Sequence, residues 1–183
     1  NPEAVIAPAT LPILMQSSDD YFENWIIASV IRISRLIGVF ITALLPALYI
    51  SVTAFHPDML PLNLVLSITS TRTGVPFPAF IEAILMVFTL ELLQEAGIRL
   101  PRVVGQTVSI VGGLVIGQAA VQAGIVSPIM VIVISITAVS SFTVPDYSLG
   151  LALRLARIPF ILLAVVLGAF GVAIGLLVGL IYI

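Results

Sequence analysis

Two glutamates, Glu82 and Glu91, lie inside an apolar run that is long enough to form a membrane helix. A carboxylate deep in a lipid-facing helix costs about 2.5–3.5 kcal/mol on insertion scales, so each needs a partner or a function. Their separation of nine residues turns them about 180° apart on an ideal helix. They predict carboxylate rings near the two mouths of an oligomeric cation pathway, or else structural pairing with arginine or snorkelling to the headgroups.

A second candidate for chemistry is a face of small and polar residues further along the chain. Its members fall within about 80° on one side of a helix: Gln106, Ser109, Gly113, Gly117, Ala120 and Gly124. Glycine or serine also recurs every four residues from Gly105 to Gly117. Small residues let another helix approach closely, and they could equally line a narrow pore. We assign Gly105, Ala120 and Gly124 to packing and keep the other four, with the two glutamates, as pathway candidates.

The composition excludes most other kinds of chemistry. The chain has no cysteine and one histidine, and it lacks a glycine-rich phosphate loop, an HExxH pair and a nucleophile elbow. We therefore expect no catalytic residues, no metal and no cofactor. Net charge is −2, with no lysine, which argues against a nucleic-acid partner. Apolar residues make up 60% of the chain and charged residues 9%, which assigns it to a lipid bilayer.

The apolar runs predict an all-α, polytopic membrane helix bundle. We expect about five spans, near residues 33–55, 78–96, 103–123, 128–144 and 159–183, with amphipathic connectors between some of them. Residues 60–70 are too few for a crossing of about 20 residues and predict a re-entrant or interfacial helix. Pro46 interrupts the first span and removes one helical hydrogen bond. Ser127 followed by Pro128 predicts a helix start, with a serine cap and a proline in the first turn.

The N-terminal segment and the arginines suggest how these elements sit in a membrane. Residues 1–18 are proline-rich and predict an extended piece, the end of a missing upstream soluble domain or a linker, before a transmembrane domain over 19–183. With five spans, six of the seven arginines share one side, which the positive-inside rule makes cytoplasmic; only Arg72 lies opposite. We expect the interface anchors to be Trp25, Arg32, Arg35, Arg99, Arg102, Arg154 and Arg157.

Long blocks of the sequence resemble the A subunit of GerA-type spore germination receptors. They are GVPFPAFIEAILM (74–86), LLQEAGIRLPRVVGQTVSIVGGLVIGQAAVQAGIVSPIMVIVISITAVSSF (92–142) and PDYSLGLALRLARIPF (145–160). The similarity covers nearly the whole chain in order. The chain departs from the family pattern at Val87 and Thr73, where glutamate is common, and at Gln94, where arginine is common. These departures are also compatible with a diverged paralogue, such as the SpoVAF-like branch.

The resemblance implies a location and a set of partners. It implies an integral protein of the inner membrane of the bacterial endospore that assembles with itself, with a transporter-like, nutrient-binding B subunit and with a lipoprotein C subunit. It also implies that the oligomer is a nutrient-gated cation channel that triggers germination. Two alternatives remain open from the residues themselves: a non-conducting scaffold that transmits a partner's signal, and a secondary transporter.

Overall fold

The computed structural model describes residues 11–99, 112–113 and 115–182, and within these ranges all regular structure is helical. The chain forms α1 (Leu11–Leu14), a 3₁₀ turn (Ser18–Tyr21), α2 (Trp25–Phe55) and a second 3₁₀ turn (Pro57–Met59). It continues with α3 (Leu62–Arg72), α4 (Ala79–Arg99), α5 (residues 115–122), α6 (Pro128–Ser141) and α7 (Tyr147–Tyr182). The all-α prediction is therefore confirmed.

The N-terminal segment differs from its prediction where it is described. Residues 11–14 form one helical turn rather than an extended piece, and residues 1–10 lie outside the described ranges. The long first helix begins only at Trp25, because Asn24 has an extended backbone and its side chain accepts a hydrogen bond from the Ile26 N–H. Such an N-cap satisfies one of the free donors at a helix start.

By length and composition, two of the described helical segments could cross a membrane: α2, and α7 when it is counted as one run across the bend at Gly168. α6 is strongly apolar but has only 14 residues, and α4 carries three glutamates among its 21. α3 has 11 residues, about 16 Å of helix, against a hydrocarbon core of about 30 Å. The count of five spans, and the re-entrant reading of residues 60–70, thus stay predictions.

α2 and the first part of α7 run side by side in the same direction. Val39 and Leu149 share one apolar cluster, and the Arg157 side chain reaches the Thr42 carbonyl. Gly168 lies against Phe55, at the end of α2. Later residues of α2 thus contact later residues of α7, so the two helices are parallel, and the contacts give the position along α2 that lies beside each part of α7.

The core is formed by one apolar stripe from each of the long helices. α2 and α4 contribute residues at the helical spacing of three and four positions, and α6 and α7 complete the cluster. Three alanines, Ala47, Ala83 and Ala164, are completely buried. Small side chains allow helices to approach closely in lipid, where van der Waals packing replaces the hydrophobic effect between helices.

α7 is two helices that meet in a sharp bend at Gly168. This residue has φ 61° and ψ −140°, a backbone conformation that is essentially restricted to glycine. Beyond the bend, Gly175 lies beside Phe160 and Leu163, and a Cβ at Gly171 would overlap the Leu163 carbonyl. Fifteen residues of straight helix would separate positions 160 and 175 by about 22 Å. The chain therefore reverses direction at Gly168 and forms a helical hairpin.

We expect this hairpin to be captured by a chemical cross-link. Phe160→Cys combined with Gly175→Cys adds two thiols to a protein that has no cysteine. A Cβ at position 175 would lie 2.8 Å from the Phe160 ring, so a short bis-maleimide reagent should join the two positions within one molecule. Mass spectrometry of the digested protein in detergent detects the link.

The matched control is Gly150→Cys with Phe160→Cys. These positions lie on one limb of α7, about 15 Å apart along the helix axis, and the same short reagent should not join them. If the 160–175 pair stayed unlinked while both thiols reacted with a monofunctional maleimide, α7 would be straight rather than folded back.

Candidate functional site

Glu82 is completely buried and both of its carboxylate oxygens have partners. Oε1 lies 3.1 Å from Nη2 of Arg72, and Oε2 accepts a hydrogen bond of 2.9 Å from the Ser127 N–H. Arg72 ends α3, Glu82 lies in the first turn of α4, and Ser127 caps α6. One carboxylate therefore ties three helices together.

Local sequence explains why these groups meet. Ser127 caps α6 through its Oγ, which accepts from the Met130 N–H, and Pro128 occupies the first turn, as the Ser-Pro pair predicts. The positive end of the α6 dipole thus faces the Glu82 carboxylate. Gly124 has φ +67°, and a Cβ there would lie 3.3 Å from the Gly74 carbonyl. This close approach packs the α3–α4 loop against the turn before α6, which brings Arg72 to Glu82.

Glu91 forms a second ion-pair cluster, with two arginines of α7. Arg154 reaches Oε2 at 2.6 Å through Nη2 and at 2.7 Å through Nε, and Arg157 reaches Oε1 at 3.3 Å. The Arg157 side chain is completely buried, and that of Arg154 is 12% exposed. Both side chains point into the bundle toward Glu91, and their role as interface anchors stays a prediction.

Arg157 also satisfies a backbone carbonyl that a proline has freed. Pro46 has no N–H, so the carbonyl four residues earlier, that of Thr42, loses its usual helical donor. The Nε of buried Arg157 donates to this carbonyl at 3.0 Å. In a membrane a kinked helix needs a neighbour to satisfy such a group. The helical hydrogen bond that Pro46 removes from α2 is thus replaced from α7.

A third cluster joins the N-terminal turn to the start of α2. Asp20 is paired with Arg35 at 2.6 Å and with Arg32 at 3.5 Å. The hydrogen bond from Arg35 lowers the pKa of Asp20 below its ordinary value of 3.8, although burial opposes the shift. Arg32 also lies over the ring of Tyr21, and Trp25 is 76% exposed. These contacts anchor the segment before α2.

The small-residue face is described only in part. Gly113 is exposed, with nothing within 4 Å of an added Cβ, whereas Gly117 is buried against Val131. Ala120 packs against the core, and Gly124 lies in the turn beyond the helix. The positions outside the described ranges are Gly105, Gln106, Ser109 and Arg102, and nothing is described of the Arg99 side chain.

A cavity of about 700 Å³ lies beside the Glu91 cluster, between α4, α5, α6 and α7. Its walls are mainly apolar, from residues such as Leu90, Ile116 and Ile134, and they include Gly113 and Gly117. Arg154 forms the charged part of the wall. Gln94 donates to the Ser141 Oγ at 3.0 Å in the same wall, and its buried Oε1 has no hydrogen-bond partner among the described residues.

The sequence did not reveal which residues pair with the two glutamates. Arg72 is ten residues from Glu82, across a loop with two prolines, and the arginines of the second cluster are more than sixty residues from Glu91. A signal did exist: buried carboxylates in membrane helices usually pair, and the chain has only seven basic residues to choose from. Across the described residues, no group of acidic and histidine side chains suits a metal ion.

Membrane-length apolar helices, cores built on small residues and buried carboxylate–arginine clusters define a helical protein of the membrane class. The family model described as Bacillus/Clostridium GerA spore germination protein matches residues 1–183. The chain belongs to this family, as its sequence blocks predicted.

Individual relatives agree with this assignment. Spore germination protein B1 of Bacillus subtilis (strain 168) is 51% identical over 93% of the chain, and spore germination protein A1 is 49% identical over 97%. An uncharacterized membrane protein of the same organism, YfkQ, is 46% identical over 97%. The chain spans 34–37% of the length of these relatives, about a third. No solved structure matches the chain.

Proposed function

We propose that this chain is the membrane part of a germinant-receptor A subunit, which oligomerises into a nutrient-gated cation channel and thereby triggers spore germination. Membership of the GerA family over all residues supports the germination role. Its location would be the inner membrane of the endospore. Its partners would be further copies of itself, a transporter-like B subunit that binds the nutrient, and a lipoprotein C subunit.

One observation about the small-residue face carries the pathway part of this proposal. Gly113 is exposed and has open space where a side chain would begin. Among the described residues nothing lies within 4 Å of a Cβ at Gly113, whereas Gly117 on the same face packs against Val131, and both glycines border the cavity beside Glu91. We propose that the face containing Gln106, Ser109, Gly113 and Gly117 lines the pathway in the assembled oligomer.

The two glutamates act differently in this proposal from a ring of free carboxylates. Each is held by arginine within its own subunit, and Glu82 is completely buried. They stabilise the helices around the pathway, and they contribute to ion selection only if gating separates them from Arg72 or from Arg154 and Arg157. The resting channel would then be lined by small and amide side chains rather than by fixed negative charges.

A charge introduced at Gly113 tests the pathway. The full-length subunit, with its B and C partners, is reconstituted in liposomes and exposed to nutrient. Gly113→Asp should raise the cation-to-anion permeability ratio several-fold, and Gly113→Lys should lower it, because a charge at a narrow pore selects the opposite ion. Reversal potentials under a salt gradient measure this ratio.

Gly74→Asp is the matched control, since a Cβ at Gly74 also meets no described atom within 4 Å but the residue lies in the α3–α4 loop. It should leave the permeability ratio unchanged. Altered assembly without altered selectivity in the Gly113 variants would favour the non-conducting scaffold. Saturable flux coupled to a substrate would favour the secondary transporter. In either case the channel proposal fails.

A further inference from the structure

We propose that the cavity between α4, α5, α6 and α7 is a binding site for one anionic phospholipid, with an acyl chain inside and the phosphate on Arg154. Its volume, about 700 Å³, lies within the range of about 300–1,000 Å³ that is typical of ligand sites. The walls are mainly apolar, as an acyl chain requires. Arg154 supplies a cation at the edge of this apolar space.

The charge balance next to the cavity favours an anion. Among the described ion pairs, one carboxylate, that of Glu91, is shared by two guanidinium groups, those of Arg154 and Arg157. Glu95, one turn further along α4, makes a contact of its own. Arg157 is fully buried and lies behind the cavity wall, and within the described part of the chain its Nη2 has no hydrogen-bond partner, so Arg154 is the member of the pair that faces the cavity. A lipid phosphate on Arg154 would give the second guanidinium group of this cluster a counter-charge.

The level of Arg154 in the bundle is compatible with a lipid headgroup. Leu149 packs with Val39, and Arg157 reaches Thr42, so Arg154 lies at the level of α2 between those two residues. This level is one to two helical turns inside Arg35, which is paired with Asp20 at the start of α2. Basic pockets between helices near the cytoplasmic side commonly bind anionic headgroups. The arginine distribution predicts the same side for this pocket.

A photoreactive phosphatidylglycerol tests the site. The full-length protein in detergent is mixed with the lipid carrying a diazirine in its acyl chain, irradiated and mapped by mass spectrometry. We expect adducts on the cavity walls of α4 and α6. Unlabelled phosphatidylglycerol should compete about fivefold better than phosphatidylcholine, the preference that one nearby arginine provides.

Two variants separate the headgroup contact from the tail contact. Arg154→Gln should remove the preference for phosphatidylglycerol, and Ala138→Phe, which fills the cavity, should abolish the adducts with either lipid. Arg35→Gln, an arginine outside the cavity, should change neither result. Because the readout is lipid labelling in detergent, it succeeds or fails independently of any ion flux.

Three outcomes would overturn the inference. Equal competition by the two lipids would show that Arg154 does not select an anionic headgroup. Adducts that map outside the cavity, or that persist in Ala138→Phe, would show that the acyl chain does not occupy the cavity. Absence of adducts in the cavity of the oligomer, with adducts there once the subunits are dissociated, would make the cavity a subunit interface.

Discussion

Replacing Glu82 by Leu is expected to destabilise the protein by about 3–5 kcal/mol, the usual result of removing one partner from a buried ion pair. The change leaves Arg72 without its carboxylate and the Ser127 N–H without an acceptor. The Arg72 guanidinium is partly buried, with its side chain 21% exposed, so without its counter-charge it has lost part of its hydration and gained nothing in return. Unfolding in increasing SDS, followed by circular dichroism of the purified protein, measures the loss.

The double variant Glu82→Leu with Arg72→Leu separates pairing from packing. Removing both charges should recover about 2 kcal/mol or more, because no unpaired ion then remains in the interior. Glu23→Leu is the matched control, since Glu23 is exposed before α2, and its effect should stay within about 0.5 kcal/mol. If the effects of Glu82→Leu and Arg72→Leu simply added, the two side chains would not be interacting in the folded protein.

Replacing Arg157 by Leu is expected to cost about 3 kcal/mol. The arginine donates one hydrogen bond to the carbonyl that Pro46 frees and another to Glu91. A buried carbonyl left without a donor costs about 1–3 kcal/mol, and hydrogen bonds to charged groups contribute about 1.5–3 kcal/mol. The variant no longer buries a second positive charge beside Glu91, and this gain offsets part of the cost of the two lost hydrogen bonds. The same unfolding measurement in SDS applies.

Pro46→Ala provides a direct test of the link to the α2 carbonyl. Alanine at position 46 restores the helical N–H, so Thr42 no longer depends on α7. The stabilisation from Pro46→Ala should therefore be about 1 kcal/mol larger in the Arg157→Leu protein than in the unmodified one.

Arg154→Leu is the matched background, because Arg154 contacts Glu91 but not the Thr42 carbonyl. In that background Pro46→Ala should give the same stabilisation as in the unmodified protein. Equal gains in all three backgrounds would show that the Arg157 hydrogen bond does not replace the one that the proline removes.

Much of the architecture was predictable because its signals are local. The low charge content indicates a bilayer, the apolar runs give helices, and Ser127–Pro128 marks the start of α6. Pro46 showed that one backbone carbonyl would lose its donor. Each of these inferences needs only a few neighbouring residues or a composition. The family assignment also followed from the sequence, since its blocks extend over most of the chain.

The site was less predictable because its contacts join distant parts of the chain. Glu82 and Glu91 stand out as costly residues, yet the sequence does not select Arg72 for one or Arg154 and Arg157 for the other. The fold-back at Gly168 was missed for a related reason. Glycines at 168, 171, 175 and 179 suit a straight packing helix and a hairpin equally well, and only contacts with Phe55 and between the two limbs distinguish them.

The sequence by itself determined the membrane class, the helical content, the family and the few polar residues that an apolar interior must accommodate. Only the tertiary structure decided which cation neutralises each carboxylate, which donor satisfies the carbonyl freed by Pro46, and where α7 reverses. The physical reason is the range of the forces involved. Helix formation and membrane partitioning depend on neighbouring residues, whereas charge pairing and close packing depend on groups that meet only after the helices have assembled.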